Sequence, residues 1–207
     1  MIRTTLLVLV LALTACSPDP AATADPVANT AAPAARAQQA SPVPAPAEPP
    51  AAASPVLAID GEGFRLFNPT NGAARPIAFG SPRADTLAAL AFLGAPGIAR
   101  LEECGAGPLD QAAWPNGLRV YFQRGKFVGW ALDARGNDGT IKPAITTASG
   151  IGPGSTRAEL EAAYSAKVAQ STLGTEFSAG DLAGLLDGPG PRARITNLWS
   201  GVSCNFR

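Results

Sequence analysis

The chain of 207 residues holds three cysteines and no histidine. The missing imidazole excludes His-dependent nucleophile triads, His-ligated zinc and the commonest general acid–base group. Polar chemistry then falls to carboxylates and thiols. Glu102 and Glu103 are adjacent, so on a strand they point to opposite faces and make a poor acid–base pair. Glu176, within Leu173-Gly174-Thr175-Glu176-Phe177, is the more informative carboxylate, because small and aromatic neighbours imply partial burial against Arg192 or Arg194. A structural ion pair is the favoured reading of Glu176, and a catalytic acid is its rival. Asp60-Gly61-Glu62-Gly63 and the run from Asp133 to Gly139 carry oxygen donors. The second lacks the alternating ligands and sixth-position glycine of a calcium loop, and both read as ordinary turns. Gly150-Ile151-Gly152-Pro153-Gly154 leads into a helix. It has no lysine after the last glycine, and Pro153 removes an N–H that a phosphate would use. No cofactor and no metal is expected. The net charge is zero and the basic residues are scattered, which excludes the electrostatic footprint of a nucleic-acid binder.

The remaining thiol chemistry begins at the N-terminus. Arg3 precedes the apolar run Leu6-Leu7-Val8-Leu9-Val10-Leu11-Ala12-Leu13. One positive charge before a short apolar stretch is the pattern of a secretory signal, and the run is too short to span a bilayer, which takes about 20 residues. It closes on Leu13-Thr14-Ala15-Cys16, which resembles the lipobox of bacterial lipoproteins. That resemblance implies cleavage after residue 15, so that 1–15 is the signal peptide, and a lipid anchor (diacylglycerol and usually a further acyl chain, such as palmitate) on Cys16. Two or more acyl chains give durable membrane attachment. Ser17, in place of an aspartate after the cysteine, implies the outer membrane, with the chain on its periplasmic face or its surface.

Residues 16–54 form an Ala/Pro-rich tether whose only large aliphatic residues are Val27 and Val43. Such a stretch cannot bury enough apolar surface to offset ordering entropy, so it is expected to be a disordered spacer. Fully extended, it reaches on the order of 100 Å from the lipid surface. Residues 55–207 suit one domain. In an exported chain, Cys104 and Cys204 are expected to pair as a disulfide; a reactive thiol is the alternative, although no histidine is available to activate one.

The domain contains an internal repeat. Residues 77–90, IAFGSPRADTLAAL, align without gaps on residues 151–164, IGPGSTRAELEAAY. Each copy reads as a loop followed by a helix. Ser81 and Pro82 suit the cap and first helical position, and Thr156-x-x-Glu159 is a capping box. Leu87, Leu90 and Ala91, and likewise Leu160, Ala163 and Tyr164, place an apolar stripe at helical spacing. Strand signals follow each helix. Leu118, Val120 and Phe122 alternate with Arg119, Tyr121 and Gln123, and Arg124-Gly125-Lys126 turns the chain back through residues 127–132. Residues 56–59 and 64–67 flank another turn. Residues 167–173, 176–186 and 194–204 are strand candidates in the second half. The expected fold class is α+β: two tandem units, about 55–140 and 141–207, each a helix followed by antiparallel strands, with the helices packed on an antiparallel sheet.

The segment Gly154-Ser155-Thr156-Arg157-Ala158-Glu159-Leu160, before a helix and strands and repeated in tandem, resembles β-lactamase-inhibitor-protein-like folds. It is also similar to the small outer-membrane lipoproteins of the SmpA/OmlA type. The resemblance implies binding or scaffolding, not catalysis. Trp114, Trp130, Trp199 and Tyr121 are candidates for an aromatic surface or for core packing, and Trp114, in a loop beside Pro115-Asn116-Gly117, is the candidate partner contact. The expected function is that of a non-catalytic cell-envelope lipoprotein binding an envelope protein or a cell-wall component. A carboxylate-dependent enzyme acting on cell-wall polymers is the alternative.

Overall fold

In each half of the repeat the same three backbone hydrogen bonds fasten the start of a helix to a distant strand. Phe127 N–H donates to Ser81 O and Ile195 N–H to Ser155 O; Arg83 N–H donates to Gly125 O and Arg157 N–H to Ala193 O; Gly80 N–H donates to Phe127 O and Gly154 N–H to Ile195 O. These contacts belong to a computed structural model that describes residues 53–134 and 144–204. The expected signal peptide, Cys16 and nearly all of the expected tether lie outside the described residues.

The elements run β1 (Val56–Asp60), β2 (Gly63–Phe67), β3 (Ala74–Ala78), α1 (Arg83–Ala89), a 3-10 turn (Ala91–Leu93), β4 (Gly97–Leu101), β5 (Leu109–Ala113), β6 (Leu118–Gln123) and β7 (Lys126–Asp133). The second half adds β8 (Thr146–Thr147), α2 (Arg157–Ala163), β9 (Lys167–Ser171), β10 (Gly174–Ala179), β11 (Leu182–Leu186) and β12 (Ile195–Gly201). They form an eight-stranded sheet of order β4-β5-β6-β7-β12-β11-β10-β9 and a four-stranded sheet of order β3-β2-β1-β8. The large sheet is therefore two four-stranded antiparallel meanders joined along β7 and β12, with a pseudo-twofold axis between them. A register shift between Tyr121 and Phe122 recurs between Leu185 and Leu186, so even the bulge is repeated.

This architecture corrects the α+β expectation. The described residues are mostly β, with twelve strands in two sheets and only two helices of seven residues each. The helical stripes overstate helix length. α1 stops at Ala89 and gives way to the 3-10 turn, while Tyr164 already has extended backbone (φ −139°, ψ 150°). The region 176–186, expected as one strand, is a hairpin reversing at Gly180-Asp181. The larger omission is the second sheet. β1 pairs in parallel with β8, about ninety positions along the chain, a contact no local pattern announces.

Local chemistry explains the hairpins. Arg124 (φ 50°) and Gly125 (φ 71°) both adopt positive φ, the backbone that a two-residue turn matched to strand twist requires. Strand alternation then assigns faces. Leu118, Val120 and Phe122 on β6 join Phe127, Trp130 and Leu132 on β7 in the core, which Leu57, Ile59, Phe64, Leu66 and Ile77 of the small sheet complete. Phe64 stacks on Phe127 at 4.9 Å between ring centroids, and Phe79 meets the same ring edge-on at 5.0 Å. The buried Phe64 and Phe127 each contribute about 2–3 kcal/mol through area alone, and the half-buried Phe79 less. The small sheet covers one face of the large sheet and leaves the other open.

Candidate functional site

The open face is built by the residues that alternate with the core. Three rows cross it. One runs Arg119–Ala131–Trp199–Ala183–Ser178, the next joins Gln111, Tyr121 and Gly129, and the third runs Asp133–Asn197–Leu185–Glu176–Ala169. A solvated sheet face is ordinarily polar. Here Tyr121, Ala131 and Trp199 form a second buried cluster with Leu109 and Cys104, flanked by half-buried Ala183, Leu185 and Val202. The flanking alanines Ala131 and Ala183 leave room for the indole of Trp199.

Two chain segments lie over this cluster. At Gly201 the backbone takes φ 68° and turns off β12. Val202 N–H then donates to Val128 O at 2.9 Å, and the chain crosses β7 above Gly129. A Cβ at Gly129 would stand 2.0 Å from Val202 O, so glycine is the residue that admits this crossing. From the other side comes the loop between β4 and β5, carrying Cys104. Cys204 and Cys104 meet there as free thiols in hydrogen-bonding contact, with Cys104 Sγ also 3.9 Å from Ser203 O.

Between these segments and the sheet lies a cavity of about 590 Å³, lined by Leu101, Glu103, Gln111, Tyr121, Trp199 and Cys204 among others. Its charges are of both signs, and several are paired. Arg119 pairs with Asp133 at 3.5 Å, and Arg100 donates to Asp110 and Glu102, each at 2.9 Å. Burial pushes the Tyr121 hydroxyl up to about 12. Burial, with the Cys104 hydrogen bond, pushes the Cys204 thiol up to about 11. Both groups are therefore neutral at physiological pH, the wrong state for a base or a nucleophile. The site offers shape, apolar area and hydrogen bonds.

The four aromatics considered from sequence divide by face. Trp130 is fully buried in the main core, and Trp114 is only 5% exposed with its indole N–H donating to Gly94 O at 2.9 Å. Trp114 is thus turned inward, and Tyr121 and Trp199, 4% and 7% exposed, lie buried on the open face beneath the crossing segments. Their outward placement follows from the alternation on β6 and β12; the crossing segment above them had no signal except Gly129. Glu176 is half-buried on the open face, opposite Leu185 and Ala169. Arg194 donates to Gly154 O and, through its backbone, to Asp187. Glu102 and Glu103 lie just after β4 at the cavity rim. Asp60 caps its own turn, accepting from Glu62 N–H at 3.2 Å and from Arg65 at 2.6 Å. Residues 135–139 of the second candidate turn lie outside the described residues. Among the described residues no cluster of three or more acidic or thiol side chains is arranged to hold a metal ion.

Comparison of the chain with protein-family models, curated proteins and solved structures finds no match.

Proposed function

We propose that the chain is a cell-envelope lipoprotein, anchored through Cys16, whose domain is a non-catalytic module binding another envelope protein on the open face of the large sheet. One observation carries the reading: on the sheet face left uncovered by the second sheet, half-buried Leu185, Ala183 and Val202 form an apolar centre over and beside the buried Tyr121 and Trp199. Arg119, Asp133, Asn197 and Glu176 surround that centre. An apolar centre inside a polar rim of mixed sign is the composition of a protein–protein interface. The lipobox and the tether supply the rest, since a spacer lets the face meet a partner away from the lipid.

The rival reading, hydrolysis of cell-wall polymers through Glu176, needs a second carboxylate at about 5–9.5 Å. Asp133 is in the same row as Glu176 but three strands away, roughly 14 Å at the usual strand spacing. Cross-linking in native envelopes followed by capture of the full chain tests the proposal, with Ser178→Arg as the comparison. Ser178 is exposed beside Ala183 on the open face. One partner captured by the native chain and lost with Ser178→Arg supports the module. Equal capture by both removes the face from the interface, and polymer turnover abolished by Glu176→Gln in a folded chain establishes the rival.

A further inference from the structure

The two thiols that meet above the open face come from segments far apart in the sheet. Cys104 belongs to the loop after β4, at one edge of the large sheet, whereas Cys204 follows β12 at its centre. The chain reaches from one to the other only because Gly201 turns it and Gly129 leaves its path clear. Cys104 is buried at 7%, and Cys204 is half-exposed with one side on the cavity. We propose that Cys104 and Cys204 form a disulfide that straps residues 202–204 across the open sheet face, and that thiol–disulfide exchange at this strap opens and closes the cavity over Tyr121.

The chemistry balances with a disulfide as oxidant, either oxidised glutathione or an oxidoreductase. Through its small thiolate fraction, which makes the exchange slow, one cysteine attacks a sulfur of the oxidant, breaking its S–S bond and expelling one thiol as a mixed disulfide forms. The second cysteine displaces the other thiol as the Cys104–Cys204 bond forms. Two cysteine thiols are oxidised, one disulfide is reduced to two thiols, and the two cysteine protons leave on those thiols. Side chains already in contact need little backbone movement to reach disulfide geometry. Reduction begins at the half-exposed Cys204 sulfur, because the buried Cys104 sulfur is shielded from an attacking thiolate. With the bond closed, Val202 is held over Gly129 and the Val202–Val128 hydrogen bond is covered. With it open, the strap loses its covalent link and is retained by non-covalent contacts, among them the Val202–Val128 hydrogen bond and the Cys104 Sγ–Ser203 O contact. The strap is a property of the domain and holds whatever the partner is.

The test uses the full chain carrying Cys16→Ser, so that Cys104 and Cys204 are the only cysteines. Reduced protein is equilibrated in glutathione buffers of increasing oxidised fraction, quenched with an alkylating reagent and mapped by mass. The expected product is an intramolecular Cys104–Cys204 link, with loss of both alkylation sites together. Glutathione adducts on the separate cysteines, or two alkylated thiols under oxidising conditions, would overturn the bond. Amide hydrogen exchange of residues 199–204 is then compared between the two redox states. Protection at Val202 is expected to fall on the order of tenfold on reduction. Equal protection in both states would sink the opening even if the bond forms. Cys204→Ser controls for folding: it should retain sheet protection, show the fast exchange at Val202, and be indifferent to glutathione.

Discussion

Trp130 and Ser200 stand opposite each other on the two central strands of the large sheet, and both donate to the same turn of the small sheet. The Trp130 indole reaches Asp60 O at 3.0 Å, and the Ser200 hydroxyl reaches Gly61 O at 2.5 Å. One residue comes from each half of the repeat, so the β1–β2 turn is tied to both halves. This is the polar pin between the two sheets. Trp130→Phe keeps most of the ring and removes the donor, leaving a shielded carbonyl unsatisfied, and should cost about 1–3 kcal/mol. Ser200→Ala should cost about 1 kcal/mol. Urea titration followed by circular dichroism checks both, and the double variant should be less than additive because the two donors share one turn.

Tyr121 makes the fold sensitive to alkali. Its folded pKa is raised from 10.0 to about 12, chiefly by burial, so the folded state favours the neutral phenol. The associated stability is fully present below pH 10 and is lost as pH rises through about 12. The loss amounts to about 2–3 kcal/mol. In a Tyr164→Phe background Tyr121 is the sole tyrosine, and its phenolate absorbance should appear near pH 12, together with unfolding. Ionisation near pH 10 with the fold intact would contradict this burial.

The two helix starts are not equivalent. Thr156 accepts from Glu159 N–H at 3.2 Å while Glu159 accepts from Thr156 N–H at 2.6 Å, a reciprocal capping box. Pro82, at the matching place in the first half, makes no side-chain cap. Thr156→Ala should therefore cost about 1 kcal/mol in thermal or chemical denaturation. Pro82→Ala removes no capping hydrogen bond, and any effect must come through the unfolded chain and the Pro82–Lys126 bridge.

Gly129→Ala tests the crossing segment without touching a thiol. The added methyl carbon meets Val202 O at 2.0 Å, so the segment must lift. The expected cost is about 1–3 kcal/mol, with slower closure of the Cys104–Cys204 bond in glutathione buffer. In the native chain the closed bond spans about 100 residues and should stabilise the domain by up to ~4–5 kcal/mol in the chain-entropy model. Denaturation with and without reductant measures that difference. No change on reduction would mean that the link constrains neither state.

Much of the site was readable from local pattern, and the pieces that were not share one physical cause. The alternation on β6 placed Arg119 and Tyr121 on the face opposite Val120 and Phe122, and Arg124-Gly125 located the turn that returns the chain. The capping box at Thr156 was legible because its partners are three residues apart. Trp114 was harder. A tryptophan beside Pro115-Asn116-Gly117 reads as a loop residue, and only the Gly94 carbonyl, twenty positions away, explains why it turns inward.

By itself the sequence determined the repeat, the β1–β2 and β6–β7 hairpins, the faces of β6 and the two thiols available to meet, because spacing and backbone chemistry act over a few residues. Only the tertiary structure decided that β1 pairs with β8, that the two meanders join along β7 and β12, and that the strap crosses at Gly129. Alternation states which side of a strand is apolar but not which strand lies beside it. The choice of neighbour is made by long-range closure, where loop entropy is set against the burial of Phe64, Phe127 and Trp130 in one shared core.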